Sequence, residues 1–119
     1  MIDFLTNQQF EELCLAAQGR NLGVVFSYSE QEEPPPSDFS FEKRKEVFLW
    51  VLTRLLEKGI IKLAKHGKFL EGSVEEQVER FRKVFPQAEM EMQDGIWFFD
   101  EVCPGGAVWV LSDGRLEWT

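Results

Sequence analysis

Histidine and cysteine are the side chains that could most readily do chemistry in this chain, and both are scarce. His66 is the only histidine, and Cys14 and Cys103 are the only cysteines. Acid–base catalysis by histidine usually requires a carboxylate that orients the ring and a reacting partner, and the local sequence supplies neither. Several lysines stand within a few residues of His66 instead, and their charge disfavours a protonated ring. We therefore predict that His66 is a surface residue in a turn.

The two cysteines favour structural roles. A nucleophilic cysteine needs a base or a helix N-terminus that lowers the pKa of its thiol. Cys103 precedes the turn at 104–106 and is expected to be accessible, but Asp100 and Glu101 beside it would raise its pKa. Cys14 lies on the apolar stripe of a predicted helix, where cysteine usually fills space in a core. The sequence therefore predicts no catalytic residue.

The small number of histidines and cysteines also limits which cofactors the protein could bind and which cellular compartment suits it. A zinc site would have to combine the lone histidine with both cysteines or with carboxylates, so we predict no metal and no cofactor. Two widely spaced cysteines favour a reducing compartment, although the sequence leaves one long-range disulfide open. No stretch reaches the roughly 20 apolar residues of a membrane span, and the N-terminus lacks the pattern of a secretory signal. We expect a soluble, cytoplasmic protein that does not bind membranes.

Charge is distributed unevenly along the chain. The net charge is −8, and residues 1–39 and 87–119 each sum to −6, whereas residues 40–86 sum to +4. A negative overall field repels nucleic acid and attracts a basic protein, so we predict no nucleic-acid partner and a basic protein partner. Pairing between the basic middle and the acidic flanks is the alternative interpretation. The acidic residues predicted to contact a partner are Glu30, Glu32, Glu33, Asp100 and Glu101.

Two aromatic side chains are further candidates for partner contact. They lie in the runs 97–99 and 107–111, which are apolar at successive positions. A strand with that pattern needs cover on both faces, from helices or from a partner. Aromatic residues also often dominate binding energy at interfaces. Trp97 and Trp109 are therefore candidates both for the core and for a partner-binding site.

Three stretches have the apolar spacing of helices, namely 7–18, 41–58 and 74–85. The second is the clearest, because neither glycine nor proline interrupts it and its apolar face is wide. The third begins with Ser73-Val-Glu-Glu, which is the pattern of a capping box. The residues predicted to cap the first two helices are Thr6 or Asn7 and Ser40.

The remaining segments predict strands and one exposed loop. Residues 22–28 are rich in β-branched and aromatic side chains and predict a short strand, with a helix as the alternative. Three consecutive prolines make 29–38 an exposed acidic loop. The other predicted strands are 60–64, 96–102, 107–111 and 115–119, the last two joined by a turn at Asp113-Gly114. We therefore predict one α+β domain over residues 1–119, with about three helices on a small antiparallel sheet that ends in a β-meander.

Parts of the chain resemble a known family. The segments 61–73 (IKLAKHGKFLEGS), 97–99 (WFF) and 104–110 (PGGAVWV), with the closing Trp118-Thr119, resemble a family of small uncharacterised bacterial proteins. The similarity covers residues 40–119. Members of that family tend to occur near the large toxins of contact-dependent inhibition systems. The resemblance therefore implies an immunity protein, which neutralises a toxin domain by binding it, and it implies no catalytic residue.

Three hypotheses for function follow from these features. The first is a non-enzymatic protein-binding module, an immunity protein whose partner is a basic toxin domain. The second is a small enzyme or ligand-binding protein that uses the region of Lys65 and His66. The third is a structural subunit of a homo-oligomer, and the sequence leaves the oligomeric state open.

Overall fold

The computed structural model describes residues 5–29 and 41–119 and has the α+β architecture that the sequence predicts. The described part contains four α-helices, one more than predicted, together with a 3-10 helix and four strands. Residues 30–38 of the predicted loop and the predicted cap Ser40 lie outside the described residues. In chain order the elements are α1 (Asn7–Ala17), α2 (Leu22–Tyr28), α3 (Phe41–Glu57), β1 (Ile61–Lys65), β2 (Lys68–Phe69), α4 (Val74–Val84), the 3-10 helix (Glu89–Phe99), β3 (Gly106–Val110) and β4 (Leu116–Trp118).

The strands form one antiparallel sheet in the order β2-β1-β3-β4. The predicted hairpin between the last two strands is confirmed, with Gly114 in the left-handed region at φ 87°. The sequence predicted a strand at 60–64 with no strand directly after it, but the chain turns back at His66 and Gly67 to form β2. His66 and Gly67 both have positive φ, at 54° and 77°, as a tight two-residue hairpin turn of the primed type requires.

The predicted helix ends are confirmed where the structure describes them. The hydroxyl of Thr6 accepts from the backbone N–H of Gln9, whose side chain accepts from the N–H of Thr6 in return. Ser73 and Glu76 form the same reciprocal pair at the start of α4. Gly59 follows α3 with φ 69°, a conformation that suits glycine after a helix.

Residues 22–28 form a helix, so the strand predicted there is wrong and the helical alternative is correct. The side chain of Asn21 caps α2 by accepting from the N–H of Val24 at 3.2 Å. Leu22, Val25 and Phe26 are all buried, and their spacing of three and four places them on one helix face. Burial of that face outweighs the β-propensity of the individual residues.

The strand predicted at 96–102 is also wrong, since these residues complete the 3-10 helix and a following turn. Trp97 and Phe98 are both buried, although adjacent residues of a strand point to opposite faces. In a helix with three residues per turn, two neighbours can both face inward. The predicted meander is therefore reduced to the β3–β4 hairpin, whose strand β3 pairs with β1.

One aromatic-rich core connects the helices to one face of the sheet. Phe26, Phe48, Phe85 and Phe98 pack against one another, with ring centroids 5.4 to 6.3 Å apart. From the sheet, the side chains that join this core are Ile61, Leu63, Ala107 and Trp109. The opposite face of the sheet is hereafter called the outer face. No helix of the described residues is long and apolar enough to cross a membrane.

Candidate protein-binding surface

The two tryptophans predicted as partner contacts are buried in the core. Trp97 packs against Phe85 with ring centroids 5.1 Å apart. The indole N–H of Trp109 donates to the carbonyl oxygen of Arg20 at 2.8 Å and so ties β3 to the α1–α2 connection. Of the two roles that the sequence left open for these residues, the structure supports the core.

The acidic residues predicted as partner contacts fall into two groups. Asp100 and Glu101 are exposed in the turn that leads from the 3-10 helix to β3. Their place on the surface fits a contact with a basic partner. The other three, Glu30, Glu32 and Glu33, lie outside the described residues.

Three large apolar side chains are exposed around these two carboxylates. Ile96, Phe99 and Val102 are 61%, 69% and 56% exposed. We call the group formed by Ile96, Phe99, Asp100, Glu101 and Val102 the 96–102 surface. Clustered exposed apolar residues beside charge are typical of protein-interaction sites, whereas single exposed ones need no explanation.

Local backbone geometry explains why these side chains point outward. Gly95 has φ 93° and precedes the last turn of the 3-10 helix. Residues three apart eclipse one another in such a helix, so Ile96 and Phe99 share one edge while the two residues between them face the core. Asp100 then turns the chain, because its carboxylate accepts from the N–H of Val102 at 3.0 Å and its carbonyl accepts from the N–H of Cys103 at 3.0 Å.

Glu101 joins this surface to the turn between β1 and β2. Its carboxylate oxygen Oε1 lies 2.8 Å from Nε2 of His66 and 3.7 Å from Nζ of Lys65. The ammonium of Lys65 also donates to the carbonyl oxygen of Glu101. The hydrogen bond from His66, its charge and that of Lys65 lower the pKa of Glu101. The structure thus gives His66 a carboxylate partner from 35 residues away, which its neighbours in the sequence do not provide.

Both cysteines are free thiols in environments that oppose reactivity. Cys103 is buried, which corrects the prediction that it is accessible. Burial, more than the charge of Asp100, raises its pKa to about 11. Cys14 is half-buried, and burial also raises the pKa of that thiol. A thiolate is the reactive form, so neither cysteine is suited to nucleophilic chemistry near neutral pH.

Elsewhere the described surface offers little that resembles a catalytic or metal site. A groove of ≈ 530 Å³ beside α1 contains one carboxylate and one ammonium but no histidine. Its lining residues are Asn7, Phe10, Glu11, Cys14, Leu15, Lys58 and Ile60. Within residues 5–29 and 41–119, no group of three or more histidine, cysteine or acidic side chains is placed to hold a metal ion.

Sequence reasoning missed the apolar half of the 96–102 surface. It assigned Ile96, Phe99 and Val102 to a strand, in which alternate residues would have been assigned to opposite faces. The available signal was their spacing of three directly after Gly95, with two acidic residues inside the same stretch. That spacing is typical of one edge of a 3-10 helix and the turn after it.

The fold and this surface define a small α+β protein with an exposed patch of apolar and acidic side chains. Residues 56–119 match the family model described as a protein of unknown function, DUF596. That segment is more than half of the chain, and the chain belongs to this family. It contains β1 to β4 together with the whole 96–102 surface, so both are features of the part that the family model covers.

A solved structure has a similar fold over most of this chain. It is that of an uncharacterized protein conserved in bacteria, from Neisseria meningitidis, and it is 26% identical in sequence to this chain. The match covers 93% of this chain and 87% of the other, with a TM-score of 0.77. The likeness therefore extends into the residues before 56, which precede the family match. No curated protein matches the chain.

Proposed function

We propose that this protein is a non-enzymatic binding module that acts in the cytoplasm as an immunity protein, by binding a basic toxin domain. The observation that carries the binding role is the exposure of Ile96, Phe99 and Val102 around Asp100 and Glu101. The apolar side chains would supply most of the affinity, because their burial removes apolar surface from water. The choice of a toxin as partner rests on the family resemblance described above.

Charge supports a basic partner over a neutral one. The chain carries a net charge of −8, and its last segment, which contains this surface, is strongly acidic. Complementary charge accelerates association and disfavours wrong partners. Asp100 offers its carboxylate to a partner more directly than Glu101, since within the described part of the chain this carboxylate accepts from a backbone N–H two residues away. The carboxylate of Glu101 is instead engaged by contacts with His66 and Lys65.

The test is to measure binding to a candidate toxin domain, or to a partner captured from the source cell, across a series of salt concentrations. Phe99→Ala should weaken binding at least about tenfold if this ring is a principal contact. D100N/E101Q should slow association at low salt far more than at high salt, where exposed charges are screened. The matched control is E12Q/E75Q, which removes the same charge from exposed positions on α1 and α4.

Two results would count against this proposal. Binding that is indifferent to Phe99→Ala and to D100N/E101Q would remove the 96–102 surface from the interface. Self-association of the protein through this surface, with no other partner, would favour the structural homo-oligomer instead.

The contact between His66 and Glu101 favours one second candidate, a small enzyme or ligand-binding protein centred on Lys65 and His66. A carboxylate at 2.8 Å can orient an imidazole for acid–base work. Against this role, His66 lies in an exposed hairpin turn, where water competes for every contact. A turnover reaction lost in His66→Asn would establish this candidate, because asparagine tolerates the left-handed backbone of the turn.

A further inference from the structure

The outer face of the sheet carries a second apolar cluster, separate from the helical core. Across β3 and β4, Val108 pairs with Trp118 and Val110 pairs with Leu116. Trp109 lies between the two valines and belongs to the helical core, so both pairs face the outer side. Val108 is buried, although it is not part of that core.

An aromatic pair from the two edge strands covers Val108 in part. The rings of Phe69 and Trp118 stack with centroids 5.4 Å apart and planes 26° apart. Because β1 and β3 lie between the two edge strands, this contact arches over the outer face. Trp118 is still 50% exposed and Leu116, on the same strand, is 40% exposed. The apolar side chains of β4 are therefore open to contact from another molecule.

The backbone of β4 offers hydrogen-bonding groups at the same place. The N–H of Leu111 donates to the carbonyl oxygen of Arg115 at 2.8 Å, which makes these two residues a hydrogen-bonded pair. Such pairs alternate along an antiparallel ladder, so the next residue whose backbone groups face β3 is Glu117. The N–H and C=O groups of Leu116 and Trp118 therefore point to the free edge of the sheet.

The other edge of the sheet is less open to pairing. β2 has only two residues, and one of them is Lys68, a residue type that commonly blocks edge pairing. β4 has three residues and contains neither lysine nor proline. Among the described strands it pairs only with β3. An exposed edge of this kind can add an extended strand from another molecule.

The sequence of β4 fits an antiparallel copy of itself. A two-fold axis at Glu117 would place Leu116 opposite Trp118 of the second copy, and Trp118 opposite Leu116 of the second copy. These are the residues whose backbone groups point to the free edge, so each opposed pair can exchange both of its hydrogen bonds. Their side chains would meet on the outer face, where apolar cross-strand pairs stabilise a sheet. One axis thus satisfies the backbone and the side chains together.

The charged residues along this edge also complement their own copy. Glu117 would face itself at the axis, and like charges directly opposite each other disfavour pairing. Arg115 of the second copy is the diagonal neighbour of Glu117 on the same side of the sheet, within reach of a long side chain. Arg115 holds Asp113 through its backbone N–H and Nε, at 3.0 and 2.6 Å. In the described part of the chain, no contact engages the terminal nitrogens of this guanidinium, which can therefore pair with Glu117.

We propose that the protein forms a two-fold symmetric dimer through β4, in which the two sheets join into one continuous sheet. A strand of another protein could use the same backbone groups, but the matched Leu116–Trp118 and Arg115–Glu117 pairs favour a second copy. Two copies of net charge −8 repel each other at long range, and salt screens this repulsion. The 96–102 surface takes no part, so the inference goes beyond the proposed function.

The register is tested by cysteine cross-linking in a Cys14→Ala background, since the other cysteine is buried. Two residues at the axis form a non-hydrogen-bonded pair with α-carbons about 4.5 Å apart, which suits a disulfide. Glu117→Cys should therefore form a disulfide-linked dimer under mild oxidation. The matched control is Arg115→Cys, which is also exposed. Its two copies would lie four residues apart along the strands, about 13 Å, which is beyond the reach of a disulfide.

Analytical ultracentrifugation measures the dimer without any cross-link. The series should reach about 1 mM protein in about 0.5 M salt, because a short interface is weak and the repulsion must be screened. Leu116→Asp should weaken the dimer at least about tenfold, since it removes an apolar contact and adds a carboxylate near Glu117 in both halves of the interface. Leu15→Asp makes the same change at an exposed position on α1 and should leave the dimer intact.

Three results would overturn this inference. They are a monomer at every concentration, equal cross-linking of the two cysteine variants, and a dimer that Leu116→Asp leaves intact. Glu117→Cys replaces an exposed side chain, so the cross-linking result does not depend on how Leu116→Asp folds. Phe99→Ala should leave the dimer unchanged, and a dimer that it dissociates would place the contact at the 96–102 surface instead.

Discussion

Gly105 approaches Ala64 so closely that a β-carbon added to it would lie 2.9 Å from the carbonyl oxygen of Ala64. The same β-carbon would lie 3.3 Å from Cδ1 of Leu70. The first contact is with backbone at the β1–β3 pairing, which cannot move aside without disturbing the sheet. Glycine at this position therefore allows the turn after Cys103 to pack against the central strands.

We expect Gly105→Ala to lower the free energy of unfolding by about 1–3 kcal/mol, the usual cost of overpacking. Gly106→Ala is the matched control, because a β-carbon there meets nothing within 4 Å. It should change stability by less than about 0.5 kcal/mol. Equal losses in a denaturant melt of the two variants would show that the contact with Ala64 does not limit this position.

The raised pKa of Cys103 predicts a loss of stability in alkali. This thiol stays protonated in the folded protein up to about pH 11, whereas in the unfolded chain it ionises at the lower pKa of an ordinary thiol. The stability that Cys103 contributes to the folded state is therefore fully present at pH values below the pKa of the unfolded chain. This contribution is lost as pH rises towards 11. The loss from this group should approach about 3 kcal/mol at most.

The check is to compare urea unfolding of the wild type and Cys103→Ala at several pH values between about 8 and 10.5. Other groups titrate in the same range, so the difference between the two pH slopes isolates Cys103. Its thiol should also react with a thiol reagent more slowly than the half-buried Cys14. Parallel pH slopes for the two proteins would contradict the assignment.

How far the sequence predicted the fold depends on whether local signals determined each element. The helix at 74–84 was predictable because Ser73 and Glu76 are close in sequence and cap it reciprocally. The helix at 22–28 was not predictable in the same way, because its residues individually favour a strand. Their helical spacing stabilises the segment only when one face is buried by the rest of the fold. Where Gly23 meets the 3-10 helix, a β-carbon on it would lie 3.5 Å from the carbonyl oxygen of Gly95, a contact that no local pattern reveals.

The candidate surface was predictable only in part for a similar reason. Charge counting identified Asp100 and Glu101 as exposed acidic residues, because charged side chains are rarely buried without partners. The exposure of Ile96 and Phe99 required knowing that the segment is a 3-10 helix. The contact between His66 and Glu101 joins residues 35 apart and depends on how the β1–β2 turn meets the end of that helix.

The middle of α3 should be the most sensitive part of the core to truncation. Leu52 is fully buried, and Leu52→Ala should lower the free energy of unfolding by about 2–5 kcal/mol. Leu15→Ala makes the same change at an exposed position on α1 and should cost less than about 0.5 kcal/mol. A denaturant melt in which Leu52→Ala loses no more than Leu15→Ala would place Leu52 outside the core.

His66 should hold the pKa of Glu101 below its ordinary value. The hydrogen bond between the two side chains is the largest cause of this lowered pKa, and charge is the second. We expect the pKa of Glu101 to rise in His66→Asn, measured by NMR titration of its side-chain carboxyl carbon. The rise should be partial, because Lys65 still contacts Glu101.

The sign of the linked stability effect is fixed by that shift. Ionised Glu101 stabilises the folded protein fully at pH values above the ordinary carboxyl pKa. This stabilisation is lost as pH falls through the lowered pKa that Glu101 has in the folded protein. His66→Asn should therefore destabilise the protein at neutral pH more than in acid. Lys68→Gln, which alters the same hairpin without touching Glu101, serves as the control. An unchanged titration of Glu101 in His66→Asn would mean that the contact does not persist in solution.

The stack of Phe69 on Trp118 should couple the two edge strands energetically. Phe69→Leu and Trp118→Leu each keep an apolar side chain while removing one ring, so the double-mutant cycle isolates the ring–ring contact. We expect a coupling energy of about 0.5–1.5 kcal/mol, the usual size for an aromatic pair beyond its buried area.

Loss of either ring should also uncover Val108, which hydrogen exchange of its amide would report as lower protection. The control pair is Phe69→Leu with Leu15→Ala, two changes on separate elements that should be additive. Additive losses in Phe69→Leu and Trp118→Leu would show that the outer face is not closed by this stack.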